Sequence, residues 1–142
     1  MSLSPEFRLE MVAAPEDVDE LGHVSNVVYV RWIQDVAKAH SASVGFDHER
    51  YRALGAVFVV HKHVVEYRAP AYAGDHLTLV TWIEGWSAAT SERHTRVVRL
   101  ADQRELARAV TTWALVSLES GKPRRIPAEV VDAFRGTVQR ED

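Results

Sequence analysis

The stretch SNVVYVRWIQDVAKAHSASVG, from Ser25 to Gly45, decides the fold. Val27, Val28, Tyr29, Val30, Trp32, Ile33, Val36, Ala37 and Ala39 cover most of a helical circumference, while Arg31, Asp35 and Lys38 form one narrow polar stripe at helical spacing. A helix with so little polar surface has to be largely enclosed. Ser25 or Asn26 can cap its start, because a side-chain oxygen there accepts a hydrogen bond from an unpaired N–H of the first turn. The helix runs to about Val44, and Gly45 suits the position just beyond its end.

Working outward toward the N-terminus, Glu16, Asp17, Asp19 and Glu20 crowd a short polar loop that closes with Gly22. Before it, Phe7 to Ala14 mixes apolar and charged residues and stops at Pro15, as a first strand entering a loop does. Toward the C-terminus, Asp47 to Leu54 predicts one or two further helical turns before Gly55. From Ala56 onward β-branched and aromatic residues predict four strands, Val57 to Tyr67, Leu77 to Trp86, Glu92 to Leu100 and Glu105 to Leu118. A short last helix starts near Pro127 with Val130, Val131 and Phe134 as its apolar side.

One strand, a buried helix and four more strands make an α+β order, in which a single antiparallel sheet wraps a single long helix. In the strand Leu77 to Trp86 neither face is wholly polar, so the sheet is expected to have partners on both sides. Together with the small size, this makes a homodimer the expected assembly.

The chain has 142 residues, 46% of them hydrophobic, which fits one domain over 1–142. A net charge of -3 with acids and bases interspersed argues against nucleic acid and acidic membranes as partners and favours a small-molecule ligand. With zero cysteines, any nucleophile has to be oxygen-based, and a reducing compartment suits the chain. No apolar run approaches the roughly 18 residues of a membrane span, and Met1 to Glu10 has no leader pattern, so a cytoplasmic location is expected.

The start of the long helix is where chemistry is expected. Its unpaired N–H groups carry partial positive charge and can hold an oxyanion or a polarised carbonyl. The loop feeding it is rich in carboxylates, and a carboxylate beside such a pocket suffices for acyl transfer, as nucleophile or as base for water. Thioesters suit the site because their thiolate leaves with a parent pKa of about 8.5, so no strong acid is needed.

The run Val18-Asp19-Glu20-Leu21-Gly22-His23-Val24-Ser25-Asn26-Val27-Val28-Tyr29-Val30-Arg31-Trp32 resembles the signature of the hotdog-fold thioesterases, particularly the 4-hydroxybenzoyl-CoA thioesterase and acyl-CoA thioesterase group. Val65-Glu66-Tyr67-Arg68-Ala69-Pro70-Ala71, followed by Gly74-Asp75-His76-Leu77, is similar to that family's turn between its second and third strands. The resemblance implies a five-stranded antiparallel sheet around one long central helix, with no cofactor and a homodimer that pairs further into tetramers in some relatives. It also implies hydrolysis of an acyl thioester, with Asp19 as nucleophile or general base and the Asn26 N–H on the carbonyl. His23 matches a histidine of the acyl-carrier-protein thioesterases and joins Asp19 and Asn26 as a catalytic candidate, while Gly22 and Tyr29 fall among the substrate-binding positions. Those enzymes place an acidic residue a few positions after Glu-Tyr-Arg, where this chain has Pro70, so both CoA and acyl-carrier protein stand as the expected carrier.

Each candidate also has an ordinary role. Asp19 alone would be a cap or a solvated charge, and His23 a hydrogen-bonded structural histidine. Glu16, Asp17 and Glu20 suit the helix dipole, and Glu66 suits a cross-strand pair. Arg68, Arg93, Arg96, Lys122, Arg124 and Arg125 are available for the phosphates of CoA; Arg68, Lys122 and Arg124 are taken as candidates, the last two from the densest basic cluster. His61 and His63, two apart on a strand, share a face, but no motif places a third ligand and no metal site is expected. Trp82, Trp86 and Trp113 are expected in the core or an interface. A hydratase motif is missing, and the alternative outside hydrolysis is a catalytically silent acyl-CoA-binding dimer.

Overall fold

Ser25 has extended backbone angles and its Oγ accepts a hydrogen bond from the Val27 N–H at 3.4 Å, so it is the cap. Helix α1 therefore begins one residue later and spans Asn26–Ser43. These features belong to a computed structural model that describes residues 4–136; residues 1–3 and 137–142 of the expected domain lie outside it. Arg31, Asp35 and Lys38 are exposed as their spacing requires, and Tyr29, Trp32, Ile33, Val36 and Ala37 are buried. The expected enclosure is incomplete, because Val27 is 71% exposed and Val28 and Val30 are only half-buried within one chain.

Strand β1, Phe7–Val12, leads through a 3-10 turn at Pro15–Asp17 to α1. After α1 comes α2, His48–Leu54, capped by Asp47 and ended by Gly55, whose φ of 80° is the left-handed conformation that costs glycine least. Strands β2 (Ala56–Tyr67), β3 (His76–Trp86), β4 (Thr90–Arg99) and β5 (Arg104–Ser117) follow, then α3, Ala128–Arg135. All pairings are antiparallel, in the order β1-β3-β4-β5-β2.

That order explains where α1 lies. β1 and β2 hold opposite edges, so the chain between them has to cross one face of the sheet, and α1 makes the crossing. Its Tyr29, Trp32 and Val36 pack with Leu77, Leu79 and Val97 in one apolar cluster. Beyond the helix, Phe46 and Tyr51 join Ile83, Leu115, Val130 and Phe134 in a second. On the other face of β3, Thr78 and Val80 are also buried, with Glu10, Arg8 and Arg96 as cross-strand neighbours. The sheet wrapped around a central helix is thus present, with the short C-terminal helix in place.

Candidate active site

The loop before α1 is a small hairpin. Val18 and Val24 form an antiparallel bridge, the Asp19 N–H donates to the His23 carbonyl at 2.9 Å, and the Gly22 N–H donates to the Asp19 carbonyl at 3.0 Å. Gly22 has φ of +91° with open space around a would-be Cβ, so glycine is favoured there for its backbone angle and not for packing. Asp17 anchors the loop: its carboxylate accepts from the Ala14 N–H at 3.2 Å and from Arg31 at 3.0 Å, and its carbonyl accepts from the Ser25 N–H at 3.0 Å. Asp19 is left free of that task. Its Oδ1 accepts from the Leu21 N–H at 2.9 Å, while Oδ2 has no hydrogen bond to a described residue.

Asp19, His23, Asn26, Tyr29, Tyr67 and Arg68 line one cavity of about 410 Å³ at the start of α1. The Asn26 N–H has no acceptor among the described residues, as expected in the first turn of a helix. Tyr67 donates its hydroxyl to the Asn26 carbonyl at 3.0 Å and meets the Tyr29 ring edge-on at 5.3 Å, so two tyrosines brace that turn. Tyr29 is buried, and burial pushes its phenol up against a hydrogen bond from the Ala71 backbone that lowers it. His23 stands edge-on to the Tyr72 ring at 5.9 Å. Arg68 reaches the cavity already paired, with Glu66 at 2.6 Å and Glu105 at 3.2 Å. Glu66 is thereby in an exposed ion pair with a residue just past the end of its own strand and not, as expected, across the sheet.

Lys122 and Arg124 are not brought to this cavity within one chain. Arg124 donates to the Leu54 carbonyl at 2.8 Å, and Lys122 lies in the turn after β5 with its carbonyl on the Ser117 N–H. Both are at the Ala56 end of β2, whereas the cavity is at the Tyr67 end, about 36 Å along the strand. Among the other cations, Arg93 is 4% exposed, the opposite of a solvated charge. His61 falls at a register slip between Val60 and Lys62, so the alternation that would align it with His63 is broken; His63 bonds Thr111 at 2.8 Å. A different group, Glu84, Glu92 and His94, has ligand-type atoms within 4.8 Å of one another on the sheet face turned away from α1. Trp82 stacks on His94 there, and Trp113 lines a second cavity.

Tyr67 is the cavity residue that residue-type reasoning missed. The Glu66-Tyr67-Arg68 run held the signal, since a tyrosine ending a strand beside the motif's helix has a partner to find.

The profile of the thioesterase-like superfamily matches residues 13–134. The chain is 22% identical over 143 aligned residues to the chloroplastic acyl-acyl carrier protein thioesterase ATL3 of Arabidopsis thaliana, covering 99% of this chain and 73% of that protein. Among solved structures it is similar to Slr0204, a 1,4-dihydroxy-2-naphthoyl-CoA thioesterase from Synechocystis, with a TM-score of 0.86 at 19% identity over 95% of this chain and 99% of that one. It is also similar to the DHNA-CoA thioesterase of Staphylococcus aureus, with a TM-score of 0.84 at 18% identity over 94% and 91%. At such identities the structural likeness speaks for the fold, which is the hotdog arrangement. The profile match takes in the Asp19 loop, α1 and every later element through Phe134, and by it the chain belongs to the thioesterase-like superfamily.

Proposed function

We propose that the protein hydrolyses an acyl thioester, with the Asp19 carboxylate as general base or nucleophile and the Asn26 N–H polarising the thioester carbonyl. One observation carries this reading: a carboxylate with an unengaged oxygen and a helix-start N–H without an acceptor line the same cavity. An acyl carbon seated between them has its oxygen on the N–H, where charge develops, and water or Asp19 itself on the other side. The bond to sulfur breaks, the thiolate leaves, and the acid product takes the hydroxyl of the water. His23 sits beside Asp19 in the cavity wall and positions water or the acyl group.

Acyl-CoA is the favoured substrate, with acyl-carrier-protein thioesters as the second reading because the Arabidopsis relative bears that name. We further propose a homodimer formed at β2. That strand is a sheet edge and carries Val59, Val64 and Tyr67 with 42%, 47% and 46% exposure. Two-fold antiparallel pairing of two such edges sets the Ala56 end of one copy beside the Tyr67 end of the other, which is the route by which Lys122 and Arg124 reach a substrate at Asp19. No described helix is long and apolar enough to cross a membrane; the cytoplasmic location is proposed from the sequence alone.

The deciding experiment measures thiol release from short, long and aromatic acyl-CoAs by wild type and Asp19→Asn. Turnover by wild type that falls roughly 100-fold or more in the folded variant supports the reading. Equal rates remove Asp19 from the mechanism.

A further inference from the structure

A second cavity of about 430 Å³ lies beside the C-terminal half of α1, under α2 and against the inner face of the sheet. Phe46, Phe58, Trp113 and Phe134 give it apolar walls, and Lys38, Ala42, Asp47 and His48 are its exposed lining residues. One buried charge belongs to it. Arg93 shares its strand face with Ser91 and Thr95, so β4 points it at α1 and not at solvent.

The guanidinium is half satisfied. Nη1 donates to His40 Nδ1 at 2.9 Å and to Thr81 Oγ1 at 3.0 Å, which uses both of its hydrogens. His40 can accept because its ring is neutral: burial first, and the charge of Arg93 second, push its pKa down to about 3. Nε and Nη2, with three N–H groups, have no hydrogen bond to a described residue, and no described carboxylate forms an ion pair with Arg93. Burial pulls the Arg93 pKa to about 10, so it remains a cation at neutral pH.

Of the neighbouring hydroxyls, Ser41 is engaged, while Ser91 on the cavity wall has no side-chain hydrogen bond to a described residue. Ser41 donates to the Phe46 carbonyl at 2.6 Å and accepts from Tyr51 at 2.9 Å. Asp47 spends Oδ1 on the Arg50 N–H at the start of α2. A buried guanidinium without a counter-ion is strongly disfavoured, and its Nε–Nη2 edge has the fork geometry that matches a carboxylate. A phosphate would bring a second negative charge against walls whose one buried cation is Arg93, with Lys38 exposed among the lining residues.

We propose that this cavity binds an apolar carboxylic acid, its carboxylate on the Nε–Nη2 edge of Arg93 and its hydrocarbon or aromatic body against Phe46, Phe58 and Trp113. The volume is that of a small-molecule site. The acid has two possible sources, a free acid or the far carboxylate of a dicarboxylic acyl group carried on a thioester. In the β2-paired dimer the second source enters from the partner's Asp19 cavity, since Val57 and Phe58 of this cavity stand at the start of β2.

The binding arm of the test needs no turnover. Wild type is titrated with octanoate and with octanol, following heat of binding and tryptophan fluorescence. One octanoate per chain is expected to bind at least about tenfold more tightly than octanol, and Arg93→Met is expected to bring the two to parity. Thiol release from octanoyl-CoA is then compared with that from the CoA monothioester of the eight-carbon dicarboxylic acid. A KM preference of at least about tenfold for the latter, lost in Arg93→Met, assigns the acid to the acyl group. Octanoate binding without that preference assigns a free acid. Equal binding of octanoate and octanol by wild type, no binding of either, or octanoate affinity unchanged in a folded Arg93→Met overturns the proposal, whatever Asp19 does.

Discussion

Asp17 and Asp19 stand two apart in one acidic run and do different work. Asp17 is 7% exposed and its carboxylate ties the loop to Arg31 and Ala14, so Asp17→Ala is expected to destabilise the fold by about 1–3 kcal/mol, seen as a lower urea midpoint. Asp19→Asn keeps the bond from the Leu21 N–H and is expected to leave the midpoint within error while abolishing most thiol release. Four acids among five residues do not announce which one is the anchor; the motif marked Asp19, and only the folded loop showed the part of Asp17. His40 adds a pH effect. Its folded pKa of about 3 lies below the ordinary histidine value, so between about 6.5 and 3 the unfolded chain binds a proton that the native one does not. Stability contributed by neutral His40 is therefore present above about pH 6.5 and is lost as pH falls through that window. His40→Gln is expected to flatten this slope of urea midpoint against pH relative to wild type; an unchanged slope would sink the assignment.

At the scale of elements, glycine, proline and capping residues marked the helix ends and the break between β2 and β3, and the strands and helices fall within about two residues of their expected bounds. Gly55 shows why: this residue, the next after α2, takes φ of 80°, and its single N–H is shared between the Tyr51 and Arg52 carbonyls. Gly55→Ala is expected to cost about 1 kcal/mol in thermal unfolding, since alanine resists that angle, while its Cβ, 3.7 Å from Arg124, makes only an ordinary contact. The irregularity in β2 was not legible. Valines occupy both faces of Val57–Val60 and Val64–Val65, so the apolar pattern stays plausible in either register, and the slip at His61 is set by the partner strand β5. The cap of α1 was legible only to within a residue, because Ser25 and Asn26 are both good caps and the first to reach extended angles takes the role.

For the whole molecule, the decisive fact is that β2 ends the sheet with no described strand paired on its outer side. Val59→Lys with Val64→Lys places charge along that edge, and the expected result is a monomer by sedimentation velocity with thiol release reduced at least about tenfold. A dimer of unchanged stability would move the interface elsewhere. The order of elements, the two faces of α1 and the Asp19 loop were determined by the sequence itself, because capping, periodicity and turn chemistry act between near neighbours. Which strands became edges, why Lys122 and Arg124 stand a strand's length from Asp19, and why Arg93 points inward were decided only by the tertiary structure. On β4 the alternating sets Ser91, Arg93, Thr95 and Glu92, His94, Arg96 are almost equally polar, so the direction of Arg93 rests on β3 and β5 pairing on either side and on His40 and Thr81 supplying acceptors from distant parts of the chain.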